Sequence, residues 1–233
     1  MQKIPARFVV VSSKQWGRRV YDCLPESLRQ ETVFLGSGEF EIETIKEIRP
    51  EYIFVLHWSS RIEKEIYDAF DCIIFHMTDL PYGRGGSPLQ NLILSGHKET
   101  MVSALKCVEE LDAGPVYLKS PLSLEGTASE VFERLVPIAA RMIEEIALQK
   151  PVPQPQQGQP TFFNRRKPED GTLANVSSLE EAYDIIRMLD AEGYPSAFLD
   201  AGGLRLEFSG AEFDGEHLTA KVILKERRRS ECK

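Results

Sequence analysis

His76 closes an apolar run, DCIIFH, and the chain after it alternates stiff and loose backbone, with Pro81 followed by Gly83, Gly85 and Gly86. Ser87 and Pro88 then stand at the N-cap and first positions of an expected helix, SPLQNLIL. A histidine is the side chain that gives and takes protons near neutral pH, although one ending a strand is more often structural. Asp112 lies ahead of a glycine turn in EELDAGP and alone would be an ordinary turn aspartate. Ser12, Ser13 and Lys14 follow the first apolar run. Hydroxyls, backbone N–H groups and a helix N-terminus there suit a phosphate, and a plain N-cap with an exposed lysine fits the same residues. GSGEFE starts like a dinucleotide fingerprint, but Glu41 stands where the third glycine belongs. Cys72 and His76 have no third ligand near them in sequence, so no metal site is expected.

These residues need a scaffold that brings them together. ARFVVVSS, ETVFLGSG, EYIFVLHWSS and DCIIFH read as buried strands running into small or polar residues. Between them, Trp16, Val20, Cys23 and Leu24, then Ile42, Ile45 and Ile48, then Ile62, Ile66 and Phe70 mark helices. Such alternation implies a parallel sheet covered on both faces, whose ligands collect beyond the carboxyl ends of the strands. VSALKCV and PVYLKS add two strands, and GTASEVFERLVPIAARMIEEIALQK is a long amphipathic helix with Thr127 and Glu130 spaced as a capping box. Pro137 inside it should kink it. The expected fold class is α/β, a Rossmann-like, mostly parallel sheet flanked by helices over residues 1–150. PVPQPQQGQP opens a linker at 151–165. Residues 166–233 form a small α+β appendage. Its helix is capped by Ser178 and Glu181 and stopped at Gly193, and the strands of SAFLDAGGLRLEF and LTAKVIL follow.

The formal net charge of −8 argues against a general nucleic-acid surface, and the basic run Arg227 to Arg229 reads as a solvated end. Cys23, Cys72, Cys107 and Cys232 are widely spaced, and MQKIPARFVVV is strand-like from the start, so a reducing cytoplasm is expected. No apolar stretch approaches the roughly 20 residues of a membrane span.

FHMTDLPYGRGGSPLQ and EELDAGPVYL together resemble the formyltransferases that use 10-formyltetrahydrofolate. That family includes methionyl-tRNA formyltransferase, glycinamide ribonucleotide transformylase and the sugar-nucleotide N-formyltransferases. Its pattern is a strand ending in Asn-x-His, a Leu-Leu-Pro turn, an Arg-Gly-x-x-Pro segment opening a helix, and a later Leu-Asp-x-Gly turn. The resemblance covers about residues 50 to 150, and FFNRRKPEDGTL with EAYDIIRML is similar to the start of that family's C-terminal part. It implies a catalytic His76 and Asp112, with a protonated His76 stabilising the charge that builds on the formyl oxygen while Asp112 accepts or relays the amine's proton. It places the folate near Trp58, Arg61, Ile62, Glu110 and Leu111, Trp58 being equally readable as a core aromatic. Ile74 departs from the pattern, since the family has an oxygen-holding asparagine there. A backbone N–H of the glycine segment, Gln90, Asn91 or a water must then supply the missing donor.

Among family members, FHMTDLPYGRGGSPLQNLI is most similar to enzymes acting on 4-amino sugar nucleotides of the pseudaminic acid type. The expected substrate is a UDP-linked 4-amino-4,6-dideoxy sugar, bound by Ser12, Ser13, Lys14, Arg84, Gly85, Ser87 and Gln90. No nucleic-acid or membrane partner is expected, and an exposed edge of the C-terminal hairpin could pair two copies. Methionyl-tRNA formyl transfer is the alternative, and a non-catalytic nucleotide- or folate-binding module, with Ile74 as the trace of lost activity, is a third reading.

Overall fold

A computed structural model describes residues 6–227, so Arg228, Arg229 and Cys232 lie outside the described residues. The first half alternates strand and helix: β1 (Phe8–Ser12), α1 (Gln15–Asp22), α2 (Glu26–Gln30), β2 (Thr32–Leu35), α3 (Ile42–Ile48), β3 (Tyr52–Leu56), α4 (Lys64–Ala69) and β4 (Asp71–His76). β5 (Arg84–Gly85), α5 (Pro88–Leu94), β6 (Glu99–Lys106), β7 (Val116–Ser123) and α6 (Ala128–Gln149) follow. β1 and β3 are buried along their whole length, as continuous apolar strands inside a sheet covered on both faces must be. The sheet order is β2-β1-β3-β4-β6-β7. The first four strands are parallel and the last two antiparallel, so the expected mostly parallel α/β fold is what the chain forms. The order reverses between β1 and β3, which opens the crevice beyond their carboxyl ends where such sheets hold ligands.

Two local expectations change. Cys23 is exposed, because α1 ends at Asp22 and Cys23 is its C-cap. Ile62 and Phe70 flank α4 and are not part of it. α6 runs through Pro137 as one helix, with the proline and Glu133, whose carbonyl it leaves unpaired, both on the wet side. The capping box of Thr127 with Glu130 forms as read.

The segment expected as a linker lies along the body as a strap. Gln154 exchanges two 2.8 Å backbone hydrogen bonds with Val116, and β8 (Phe162–Phe163) pairs in parallel with β5, Arg84 opposite Phe162 and Gly85 opposite Phe163. α7 (Leu179–Leu189) buries Ile185, Ile186, Met188 and Leu189 in the same cluster as α6 and the sheet. β9 (Ala197–Ala201), β10 (Leu204–Phe213) and β11 (Leu218–Glu226) form an antiparallel sheet in the order β11-β10-β9. Among the described residues no helix is long and apolar enough to cross a membrane.

Candidate active site

β4 delivers His76 to the carboxyl edge of the sheet with its side chain buried. Its Nε2 lies 2.8 Å from the carbonyl oxygen of Gly83. A carbonyl only accepts, so Nε2 carries the hydrogen and Nδ1 is the nitrogen left free to exchange a proton. Nδ1 is 3.6 Å from Oδ2 of Asp112, which is equally buried and also accepts the Gly85 N–H at 2.9 Å.

Asp112 sits at a left-handed backbone position (φ 52°), and the strap holds that turn in place. The two hydrogens of the Gln156 amide go to the carbonyls of Asp112 and Gly114, 2.8 Å each, and its oxygen accepts Nε and Nη2 of Arg84. Nη1 of Arg84 pairs with Glu110 at 3.0 Å. Gln156→Leu removes four bonds to buried or half-buried groups. It is expected to lower kcat by on the order of 10-fold and to destabilise by about 1–3 kcal/mol, checked by steady-state kinetics and thermal melts.

A cavity of about 960 Å³ opens above the pair. Of the residues expected to hold folate, Trp58, Arg61, Ile62 and Leu111 line it, whereas Glu110 turns away to Arg84. Trp58 also packs edge-on against Phe40 at 5.3 Å, as a core aromatic would. Of the substrate-binding residues, Lys14, Gly85, Ser87 and Gln90 line the cavity and Arg84, engaged beneath it, does not. Ser12 and Ser13 do not line it either. Ser12 Oγ accepts from the Lys14 N–H, and Ser13 Oγ donates to the His57 carbonyl at 2.8 Å. The Lys14 ammonium reaches Gly193 O at 3.0 Å and the face of Tyr194. The first turn is therefore bound to its own protein and is not an open phosphate cradle.

The glycines and Ser87 also act differently from expectation. A Cβ on Gly85 (φ 106°) would stand 2.4 Å from Phe163 O, so this glycine admits the strap. Ser87 occupies the N-cap position of α5, but its hydroxyl accepts the Arg166 N–H at 3.1 Å and caps nothing.

Ile74 lines the cavity two residues before His76, hence on the same face of β4. The side chains and glycine N–H groups named as substitutes for the missing asparagine are all engaged. Gln90 donates to Met188 O at 3.2 Å, and Asn91 donates to Gly86 O and Asn164 O at 3.0 Å each. The N–H groups of Gly83, Gly85 and Gly86 go to Thr161, Asp112 and Phe163. What remains facing the cavity at this end of β4 is Nδ1 of His76.

His57 directly follows β3, at a left-handed backbone position (φ 51°), and EYIFVLH carried that signal. Its Nδ1 lies 3.4 Å from Ser13 Oγ and its Nε2 3.2 Å from the Tyr194 hydroxyl. Burial, with a smaller contribution from Lys14, lowers its pKa below the ordinary 6.5. A histidine kept neutral by the fold binds fewer protons folded than unfolded near that value. Its contribution to stability is full above pH 6.5 and is lost as the pH falls through the lowered folded value. Denaturant titrations across that range should show this acid-side loss in the wild type and a smaller one in His57→Gln.

Among the residues lining the cavity, Lys14, Arg61, Lys106, Arg165, Arg166 and Lys167 outnumber Glu109 and the buried Asp112, so an acidic protein has a basic mouth. The methionyl-tRNA formyltransferase from Clostridium thermocellum, a solved structure, is 43% identical with a TM-score of 0.91, covering 95% of this chain and 100% of that one. The chain belongs to the formyltransferase family. Within that family, a model described as "Methionyl-tRNA formyltransferase, C-terminal domain" matches residues 168–225. The methionyl-tRNA formyltransferase of Campylobacter jejuni is 31% identical over 182 residues, 76% of this chain and 56% of that protein. The chain spans about half the length of the curated relatives it matches. A sugar N-formyltransferase from Shewanella covers 88% of this chain and 97% of its own at only 15% identity, TM-score 0.64, which is a likeness of fold. These similarities overturn the sugar-nucleotide reading, in which formyltransferase motifs shared across the family were taken for marks of one branch. They equally correct the expectation of no nucleic-acid partner, because net charge averaged over the chain concealed a locally basic rim.

Proposed function

We propose that the chain transfers the formyl group of 10-formyltetrahydrofolate to the amino group of methionyl-tRNA. The observation that carries the reading is the buried pair of His76 and Asp112, 3.6 Å apart, opening into a cavity with a basic rim. 10-Formyltetrahydrofolate supplies an activated formyl group. An apolar wall with Trp58, Ile62 and Leu111, and Arg61 at its edge, fits a flat ring system that ends in carboxylates. The residues of this chain do the rest. Gly83 O fixes the His76 tautomer, Nδ1 takes the proton that the amine sheds as its nitrogen bonds the formyl carbon, Asp112 stabilises the imidazolium so formed, and Nδ1 returns the proton to the folate nitrogen as its bond to the formyl carbon breaks. The same imidazolium is the cation next to Ile74, where the family pattern has a neutral donor, and can take over stabilisation of the developing oxyanion. Arg165, Arg166 and Lys167 line the same cavity and offer positive charge to the phosphates of an acceptor end.

The test is direct. Purified protein, 10-formyltetrahydrofolate and methionyl-tRNA should yield tetrahydrofolate and formylmethionyl-tRNA in equal amounts. Absence of both products ends the proposal.

A further inference from the structure

Gln90 is almost fully buried in α5, yet it lines the cavity. Its Nε2 atom is fixed without ambiguity, because it contacts the carbonyl of Met188, which can only accept. The amide also donates toward the hydroxyl oxygen of Tyr194, partly offsetting the burial that pushes that phenol up to about 12. The Tyr194 proton then points to His57 Nε2, His57 Nδ1–H points to Ser13 Oγ, and the Ser13 proton goes to the His57 carbonyl. Donors and acceptors match along this chain in one direction only. The nitrogen of Gln90 is thus turned toward residues after α7's midpoint, and among the described residues no donor reaches its Oε1. Among the described residues Trp16 Nε1 is the only enclosed side-chain polar atom without a partner. The unpartnered Oε1 is not enclosed, and the space it faces is the cavity.

We infer that Oε1 of Gln90 receives an N–H of the incoming primary amine, holding the nitrogen in the cavity beside His76. This assigns the glutamine the opposite role from an oxyanion donor: it offers oxygen to the amine and offers nothing to the developing oxyanion. It also gives the C-terminal segment a part in the site, since Met188 and Tyr194 set which end of the amide faces the substrate. No bond is made or broken at Gln90. The inference rests on the amine-formylation reading and goes beyond it by naming the atom that recognises the amine.

Gln90→Met keeps the length of the side chain and removes the oxygen. With methionyl-tRNA varied at saturating 10-formyltetrahydrofolate, it should raise KM for methionyl-tRNA on the order of 10-fold, while the Kd for tetrahydrofolate, measured by calorimetry, stays at the wild-type value. Tyr194→Phe releases one amide hydrogen and lets the group rotate, so it should raise the same KM by about 3-fold. It carries the test if Gln90→Met does not fold. A change that weakens folate binding and methionyl-tRNA binding together would show a merely structural glutamine and overturn the inference. So would an unchanged KM in the folded variants. In both cases wild-type transfer remains and the proposed activity stands; no transfer by the wild-type protein overturns both.

Discussion

His76→Gln is expected to lower the rate of formyl transfer on the order of 10³-fold while leaving the protein folded and able to bind tetrahydrofolate. A glutamine side chain can place its amide nitrogen where Nε2 of the imidazole lies and keep the 2.8 Å bond to Gly83 O. It has nothing in the place of Nδ1. The substitution therefore separates the two duties of the ring, anchoring the Gly83 turn and exchanging a proton beside Asp112. His76→Ala removes both duties and leaves the Gly83 carbonyl with only the 3.4 Å contact from Thr78 Oγ1. It should be as inactive as His76→Gln and less stable by about 1–3 kcal/mol. Single-turnover assays measure the first effect and thermal melts the second. If His76→Gln retains a tenth or more of the wild-type rate, Nδ1 is not the proton acceptor.

How much of this was legible in the sequence depends on the range of the interaction. Strand and helix order followed from apolar runs and small-residue stops, because burial on both faces of a parallel sheet leaves a continuous apolar signature. The capping box of Thr127 and Glu130 was legible because it lies within one turn. The pairing of His76 with Asp112 came from the resemblance and not from spacing. Thirty-six positions separate the two residues, a gap only the antiparallel return of β6 closes. The contacts of the strap were illegible for the same reason. PVPQPQQGQP has the composition of a surface linker, and nothing local shows that Gln156 will clamp the Asp112 turn.

The glycines were recognised as places where something comes close, and what comes close is Phe163 at Gly83 and Gly85 and Arg165 at Gly86, all of the same chain. Net charge was misleading as a guide to partners, because a total of −8 over 233 residues does not describe the rim of one cavity. His57 was within reach, since it directly follows the apolar strand β3; its link to Tyr194 depends on a contact 137 positions away.

Asp112→Asn is expected to cost a further activity loss of about 10²- to 10⁴-fold, for a reason specific to this geometry. The carboxylate does two things through one oxygen: it accepts the Gly85 N–H at 2.9 Å and faces His76 Nδ1 at 3.6 Å. An asparagine that keeps its carbonyl oxygen on the Gly85 N–H keeps that oxygen facing Nδ1 as well, and its NH₂ takes the place of Oδ1. The substitution therefore preserves the turn and removes the charge that stabilises the imidazolium. Asp112→Ala clears that space and frees the Gly85 N–H. It should be comparably slow but partly restored by added acetate, which can fill the vacated volume and supply a carboxylate. Rescue of Asp112→Ala without rescue of Asp112→Asn is the expected pattern in assays of tetrahydrofolate release. Equal, unrescued rates in the two variants would mean that the aspartate serves only to hold its turn.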